Sequence, residues 1–409
     1  MMYSFLEANM SNIIDNIVPT KFSDTSIGLL NTLFKHIQEG FESYIEKIKE
    51  GTISVEPIDF KNQSIFPRGS HFGYCPEEIK KHITGMHKVG NVFKFALQGH
   101  KVVIRIICSS KKGDKLREFM NTAIQRIYIW LYLAFQYSDA KCSKTMNIYL
   151  YMTGLEKTLP KTGSPIREIN ANTAFTTSCQ ESTQMHLFRE EEWFKVFIHE
   201  SFHNLGLDFS EFNHQKTNAD VLKIFPVSSD VRLFETYCEM WAEIVHCLFI
   251  VFFESKERDP EALIRETQLL IDKERVFSMF QCAKVLDFYG LTYTDLYEVT
   301  EQAKVNRRNK YKEETHVLSY YIIKSIFMFY VNDYVEWCVA HNGHSLNFNK
   351  KPGQLNKNLT DYCGLLRDHY NKDEYKQIQT AMDKWFDNNS TKENMKILKT
   401  LRMTVNDMK

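Results

Sequence analysis

The sequence predicts an α+β fold, and three observations carry that expectation. NVFKFALQGHKVVIRIICSS (91–110) holds two β-rich runs split by Gln98-Gly99-His100, which reads as a hairpin. From residue 231 onward the chain keeps apolar residues at helical spacing. Between these regions, VFIHESFHNLGLDFS (196–210) sets His199, Glu200 and His203 on one turn of an otherwise apolar helix. Two imidazoles and a carboxylate are costly to bury without partners, so that turn demands either water or a cation.

The remaining elements follow in order. Leu29, Leu30, Leu33, Phe34, Ile37, Phe41, Ile45 and Ile48 recur at helical spacing and, with the residues before them, predict two helices over 1–50. Residues 51–90 look irregular, punctuated by Pro57, Pro67, Gly69, Gly73 and Pro76. Within them, PRGSHFGYCP (67–76) gathers Arg68, Ser70 and His71 in a glycine-rich turn that could touch a substrate, although an ordinary loop is the default reading. A helix starts at CPEEIKKHI with Pro76 in its first turn. DKLREFMNTAIQRIYIWLYLAFQYS (114–138) predicts a helix capped by Asp114, and TMNIYLYMTG (145–154) a buried strand. INANTAFTTSC (169–179) mixes Asn and Thr with Phe175, which places a shorter strand at a sheet edge. REEEWFKVFIHESFHNLG (189–206) predicts a helix with acidic residues in its first turn and Gly206 as its stop. The expected organisation is an N-terminal helical segment (1–60), a central domain (61–345) that is β-rich to about 206 and helical after it, and a helical extension (346–409).

Composition narrows the partners. Lysine plus arginine equals aspartate plus glutamate at 51 each, so no global field favours nucleic acid or an anionic membrane. The basic run KVNRRNKYK (304–312) reads as a solvated face, and nucleic acid is not expected as a principal partner. Nine cysteines occur without a C-x-x-C pair, several inside apolar runs, such as Cys108 and Cys247. That usage predicts reduced, buried thiols and a cytoplasmic setting. The N-terminus carries Glu7 and Asp15 and does not read as a signal peptide, and the apolar stretch 247–253 is too short to span a bilayer. No membrane insertion is expected.

Four-residue spacing puts His199 and His203 on one helix face, one turn apart, so both imidazoles can reach a single ion. Glu200 is rotated by roughly 100° from His199 and suits proton transfer better than ligation. Phe194, Phe197, Ile198, Phe202 and Leu205 form a separate core stripe. Catalytic zinc normally takes three protein ligands. LFETYCEMWAEIVH (233–246) offers Glu235, Glu239 and Glu243 every four residues in an apolar helix, a poor setting for a solvated acidic stripe.

HESFH followed by a glutamate on a later helix resembles the zincin metallopeptidases, in the gluzincin arrangement. The resemblance implies a zincin-like fold: a small mixed sheet whose edge strand packs on the active-site helix, with a mainly helical half after it. Its specific motifs cover only the two helices. In that family the third ligand is often followed by a bulky apolar residue and a small one, which Trp241 and Ala242 supply after Glu239. Glu239 is thus the first choice for ligand and Glu243 for the acceptor that orients a histidine. The rival assignment makes Glu235 the ligand and Glu239 its neighbour in the outer shell. A metzincin pattern fails, because Phe209 stands where a third ligand is needed; Asp208, one residue off register, reads as a brace for the turn. The chain also resembles uncharacterised zincin-like proteins of large double-stranded DNA viruses of eukaryotes, which would place it in host cytoplasm or a virion.

The resemblance implies zinc (Zn2+) as cofactor and a peptide or protein as substrate. Glu200 would act as general base toward a zinc-activated water, with an oxyanion donor still required. The nearest candidates are Tyr320 and Tyr321 in THVLSYYIIKS (315–325), beside His316 and Lys324, although with 20 tyrosines in the chain two packing residues are the better reading. The alternative is a catalytically silent zincin-fold binding or structural protein, a virion component or host-protein adaptor. Glu200 speaks against it, because a purely structural zinc needs no base. A metal hydrolase acting on a non-peptide amide or ester uses the same water activation.

Overall fold

The computed structural model describes residues 2–61, 66, 73, 75–109, 113–389 and 396–408. Arg68, Ser70 and His71 lie outside the described residues. In chain order the elements are α1 (Met2–Ile14), α2 (Asp24–Glu50), β1 (Ser54–Pro57), α3 (Glu77–Gly85), β2 (Val89–Leu97), β3 (His100–Cys108), α4 (Gly113–Phe135) and β4 (Thr145–Met152). Then come α5 (Glu168–Ala171), β5 (Ala174–Thr176), β6 (Ser182–Leu187), α6 (Trp193–Asn204), α7 (Gln215–Ile224), α8 (Leu233–Glu254) and α9 (Pro260–Tyr289). The chain ends with α10 (Glu301–Lys310), a π-helical turn (Leu318–Ile323), α11 (Lys324–Phe329), α12 (Val331–Asn342), α13 (Leu355–His369), α14 (Asp373–Asn389) and α15 (Lys396–Lys399). The fold is α+β and mostly helical, with one open mixed sheet.

The chain divides into two compact units. The mixed unit comprises Leu30–Glu156 and Asn172–Glu211. Its sheet has the order β1-β2-β3-β4-β6-β5, with β3, β4 and β6 parallel and the outer pairs antiparallel. The hairpin stands at β2–β3, and β5 lies at the sheet edge. β1 and β6 had no counterpart in the sequence reading, since SVEP is fully exposed and STQMHL is mostly polar. One sheet face carries a cross-strand row set by register: Arg105, Tyr149, His186 and Phe175. Tyr149 and Phe175 stack on His186 at 4.6 and 4.7 Å, and the Arg105 guanidinium lies 4.8 Å over Tyr149. Helix α6 packs on β5, β6 and α4, where Trp130 stacks on Phe202.

Two local expectations are corrected here. The acidic run Glu190–Glu192 precedes α6 rather than filling its first turn, because Glu192 adopts φ +58° and cannot join a right-handed helix. Asp114 lies inside the first turn of α4, which begins one residue earlier. The cysteine reading also fails at one pair: Cys142 and Cys179, 37 residues apart, form a disulfide, while the other seven are buried and not disulfide-bonded. Cysteine usage therefore no longer argues for a reducing compartment.

The helical unit comprises Met1–Leu29, Lys157–Ala171 and Phe212–Lys409. Its centre is α9, which contacts α8, α11 and α14. Asp259 caps α9 by accepting from the Ala262 amide, Pro260 opens it, and Gly290 at φ +68° ends it. Helix α8 has 22 residues and passes, by length and mean hydropathy of 1.4, for one able to cross a membrane, yet 94% of that window is buried within the protein. The apolar stretch 247–253, expected to be too short to span a bilayer, forms the C-terminal part of this buried helix. Unusually for a core, ionisable side chains are enclosed: Glu243, Glu274, Arg275, Lys284 and Lys324 are all buried.

Candidate metal centre

In the mixed unit, α6 is buried along its whole length, including His199, Glu200 and His203. The i, i+4 spacing turns the two imidazoles toward one point, with Nε2 to Nε2 at 3.3 Å. Two nitrogens each about 2.05 Å from a tetrahedral zinc stand about 3.3–3.4 Å apart, so the observed spacing fits a shared ion. His203 is further constrained: its Nδ1 donates to Asp208 Oδ2 at 2.6 Å, and Asp208 Oδ1 accepts from Ser210 Oγ at 3.0 Å. With the proton of a neutral ring on Nδ1, the Nε2 lone pair is left for a ligand. Asp208 therefore does more than brace the turn. It is buried beside the histidine, an arrangement that sequence spacing alone does not reveal.

The geometry after His203 follows from Gly206. Its φ of +62° ends the helix, Leu207 N–H bonds back to Phe202 O at 2.8 Å, and Gly206 N–H to His203 O at 3.3 Å. This is a Schellman ending, and it reverses the chain tightly enough to bring Asp208 beside His203.

In the helical unit, α8 aligns Glu235, Glu239 and Glu243 on one buried face. They have different neighbours. Glu235 accepts from the Tyr320 hydroxyl at 3.1 Å. Glu243 accepts from Lys324 Nζ at 2.6 Å, and its other oxygen is buried with no hydrogen-bond partner among the described residues. Burial pulls the Lys324 ammonium pKa down, but the carboxylates of Glu243, Glu239 and Glu274 outweigh it and hold the group above its ordinary value. The Tyr321 hydroxyl donates to Leu401 O at 2.7 Å, so it braces the segment after α15. Both tyrosines sit in the π-helical turn, a distortion that recurs at functional sites because it re-aims side chains. His316 Nδ1 stands 3.2 Å from Asp230 O.

No protein-family model, curated protein or solved structure matches the chain.

Proposed function

We propose that the protein is a metal-dependent peptidase. One divalent ion, zinc by donor type, would be held by His199 and His203, with the third ligand expected, as the sequence pattern suggests, from the α8 glutamates, Glu235 or Glu239. The observation that carries it is the 3.3 Å separation of the two imidazole Nε2 atoms, with Asp208 fixing the tautomer of one of them. Glu235 is preferred over Glu239 as third ligand because the Tyr320 hydroxyl holds its carboxylate in place, as outer partners of ligands do. Glu239 then lies one turn further along α8, within the field of Lys324.

The ion supplies Lewis acidity that makes water nucleophilic near neutral pH. Glu200 removes the proton from the attacking water and delivers it to the leaving amine. Asp208 keeps His203 in its ligating tautomer, and burial of α6 keeps bulk water from competing for the imidazoles. Tyr320 and Tyr321 spend their hydroxyl protons on Glu235 and on Leu401 O, so neither donates to the oxyanion in this reading. An extended peptide would lie along β5, the edge strand that packs against α6.

The test is metal analysis of pure protein followed by peptide-library cleavage by parent and Glu200→Gln. The expected result is one zinc per chain in both proteins and about 10²–10⁴-fold slower hydrolysis by the variant. Equal cleavage rates would remove Glu200 from the mechanism, and absence of stoichiometric metal would remove the reading altogether. Zinc bound without cleavage by either protein would favour a silent binding or structural role.

A further inference from the structure

The two chain segments that receive the C-terminal end of α6 are the ones the disulfide joins. Cys142 lies in the α4–β4 connection, and Cys179 lies in the β5–β6 connection. From the first connection, the Asp139 amide donates to Leu205 O at 3.2 Å and Ser143 Oγ donates to Asn204 O at 2.8 Å. From the end of β5 and the start of the second connection, Thr176 Oγ1 and Thr177 O accept from the Asn204 amide side chain. The Ser143 amide crosses between them to Gln180 O at 2.7 Å, and Ser143 Oγ also meets Thr183 Oγ1 at 2.8 Å. Gly206 packs directly on the sulfurs: a Cβ there would stand 3.0 Å from Cys142 Sγ and 3.5 Å from Cys179 Sγ. His203 is three residues before this glycine, and Asp208 two after it.

We propose that the Cys142–Cys179 disulfide is a redox clamp on the end of α6, holding His203 and Asp208 ready for the ion when closed and releasing them when a dithiol opens it. Sulfurs that are no longer bonded separate to van der Waals contact, and Gly206 occupies the space beside them. The two connections lose their crosslink at the same time, so the segment 203–208 gains freedom from both sides.

Cys142 is fully buried and Cys179 half-buried, so Cys179 Sγ is the open point of attack. A thiolate of the dithiol bonds to Cys179 Sγ, the protein S–S bond breaks, and Cys142 leaves as a thiolate that takes a proton from water. The second thiol of the reductant, ionised by losing its own proton to water, then displaces Cys179, which is protonated in turn. The protein is reduced by two electrons and two protons, and the dithiol ends as its own disulfide.

The clamp itself is read by hydrogen exchange and does not depend on the metal reading, whereas the zinc readout does. The oxidised chain is reduced anaerobically with dithiothreitol, desalted, and compared with untreated protein and with Cys142→Ser/Cys179→Ser. Amide exchange over 202–208 and zinc affinity by competition with a chromogenic chelator are measured on each. The expected result is exchange at least tenfold faster and zinc affinity roughly 10–100-fold weaker in both opened forms, as for loss of an outer-shell partner. Reoxidation should restore the treated parent and leave the serine variant unchanged. Unchanged exchange over 202–208 in reduced parent would overturn the clamp, whatever zinc does. Faster exchange with no zinc bound to any form would leave the clamp standing and overturn the metal reading. Faster exchange with unchanged zinc affinity would overturn the claim that the clamp governs ligand readiness.

Discussion

The two units enclose their polar groups differently. Around the end of α6 in the mixed unit, Asn204 is held by hydroxyls and main chain from Ser143, Thr176 and Thr177, with a covalent crosslink behind them. In the helical unit, Glu243 pairs with Lys324, Lys284 donates to Ile397 O, and Glu274 accepts from the amides of Val405 and Asn406. Neutral partners make the contacts of Asn204 depend on the crosslink rather than on charge. The Glu243–Lys324 ion pair makes the second depend on both partners staying in place, because one unpaired buried charge outweighs many good contacts. The same contrast separates the candidate ligands: the histidines sit in the hydrogen-bonded region and the carboxylates in the charged one.

The largest expected effect breaks the charged region. Lys324→Met leaves the Glu243 carboxylate, fully buried, with no cation beside it. Removing one partner of such a pair typically costs about 3–5 kcal/mol. Urea unfolding at pH 7 should show that loss, and Glu243→Gln in the same chain should recover most of it. A change below about 1 kcal/mol would mean the region is not organised by charge, and the contrast between the units would collapse.

A smaller effect sharpens the other side. Asp208→Ala leaves the His203 Nδ1 proton without its acceptor at 2.6 Å and frees the ring to turn. Zinc affinity should fall roughly 10–100-fold while hydrogen exchange over α6 changes little. If affinity is unaffected, Asp208 only shapes the turn, as its position in the sequence first implied.

What could be read from the chain follows the reach of local pattern. The pairing of His199 with His203 and the α8 glutamate row are helical periodicities, visible within a few residues, and the hairpin at β2–β3 announces itself through Gln98-Gly99. Asp208 is also local in sequence, yet its role depends on the chain reversing after Gly206, which composition does not specify. The disulfide and the Glu243–Lys324 pair join residues 37 and 81 apart, and nothing in either neighbourhood marks its partner. Strand β6 escaped notice because its buried residues, Thr183, Met185, His186 and Leu187, do not look apolar as a set. Its stacking partners Tyr149 and Phe175 come from neighbouring strands, so tertiary context supplies what propensity withholds.

The smallest effect tests whether charge in the helical unit is tuned by burial away from the candidate ligands. Asp383 on α14 accepts from the Tyr293 amide at 3.2 Å. Burial pushes its carboxyl up to about 7 from an ordinary 3.8, against the pull of that amide and with help from the charges of Asp387, Asp287 and Asp295. The folded chain therefore holds this proton more tightly than the unfolded chain does. The group's contribution to stability is complete below about pH 4, declines as pH rises, and is gone above about pH 7. Asp383→Asn keeps an oxygen for the Tyr293 amide and removes the titration. Because the side chain is half-buried, solvent screening trims the expected gain at pH 8 to about 1–2 kcal/mol, with no gain at pH 4. Urea midpoints of parent and variant should therefore diverge as pH rises from 4 to 8. Parallel curves would show that Asp383 ionises freely in the folded chain.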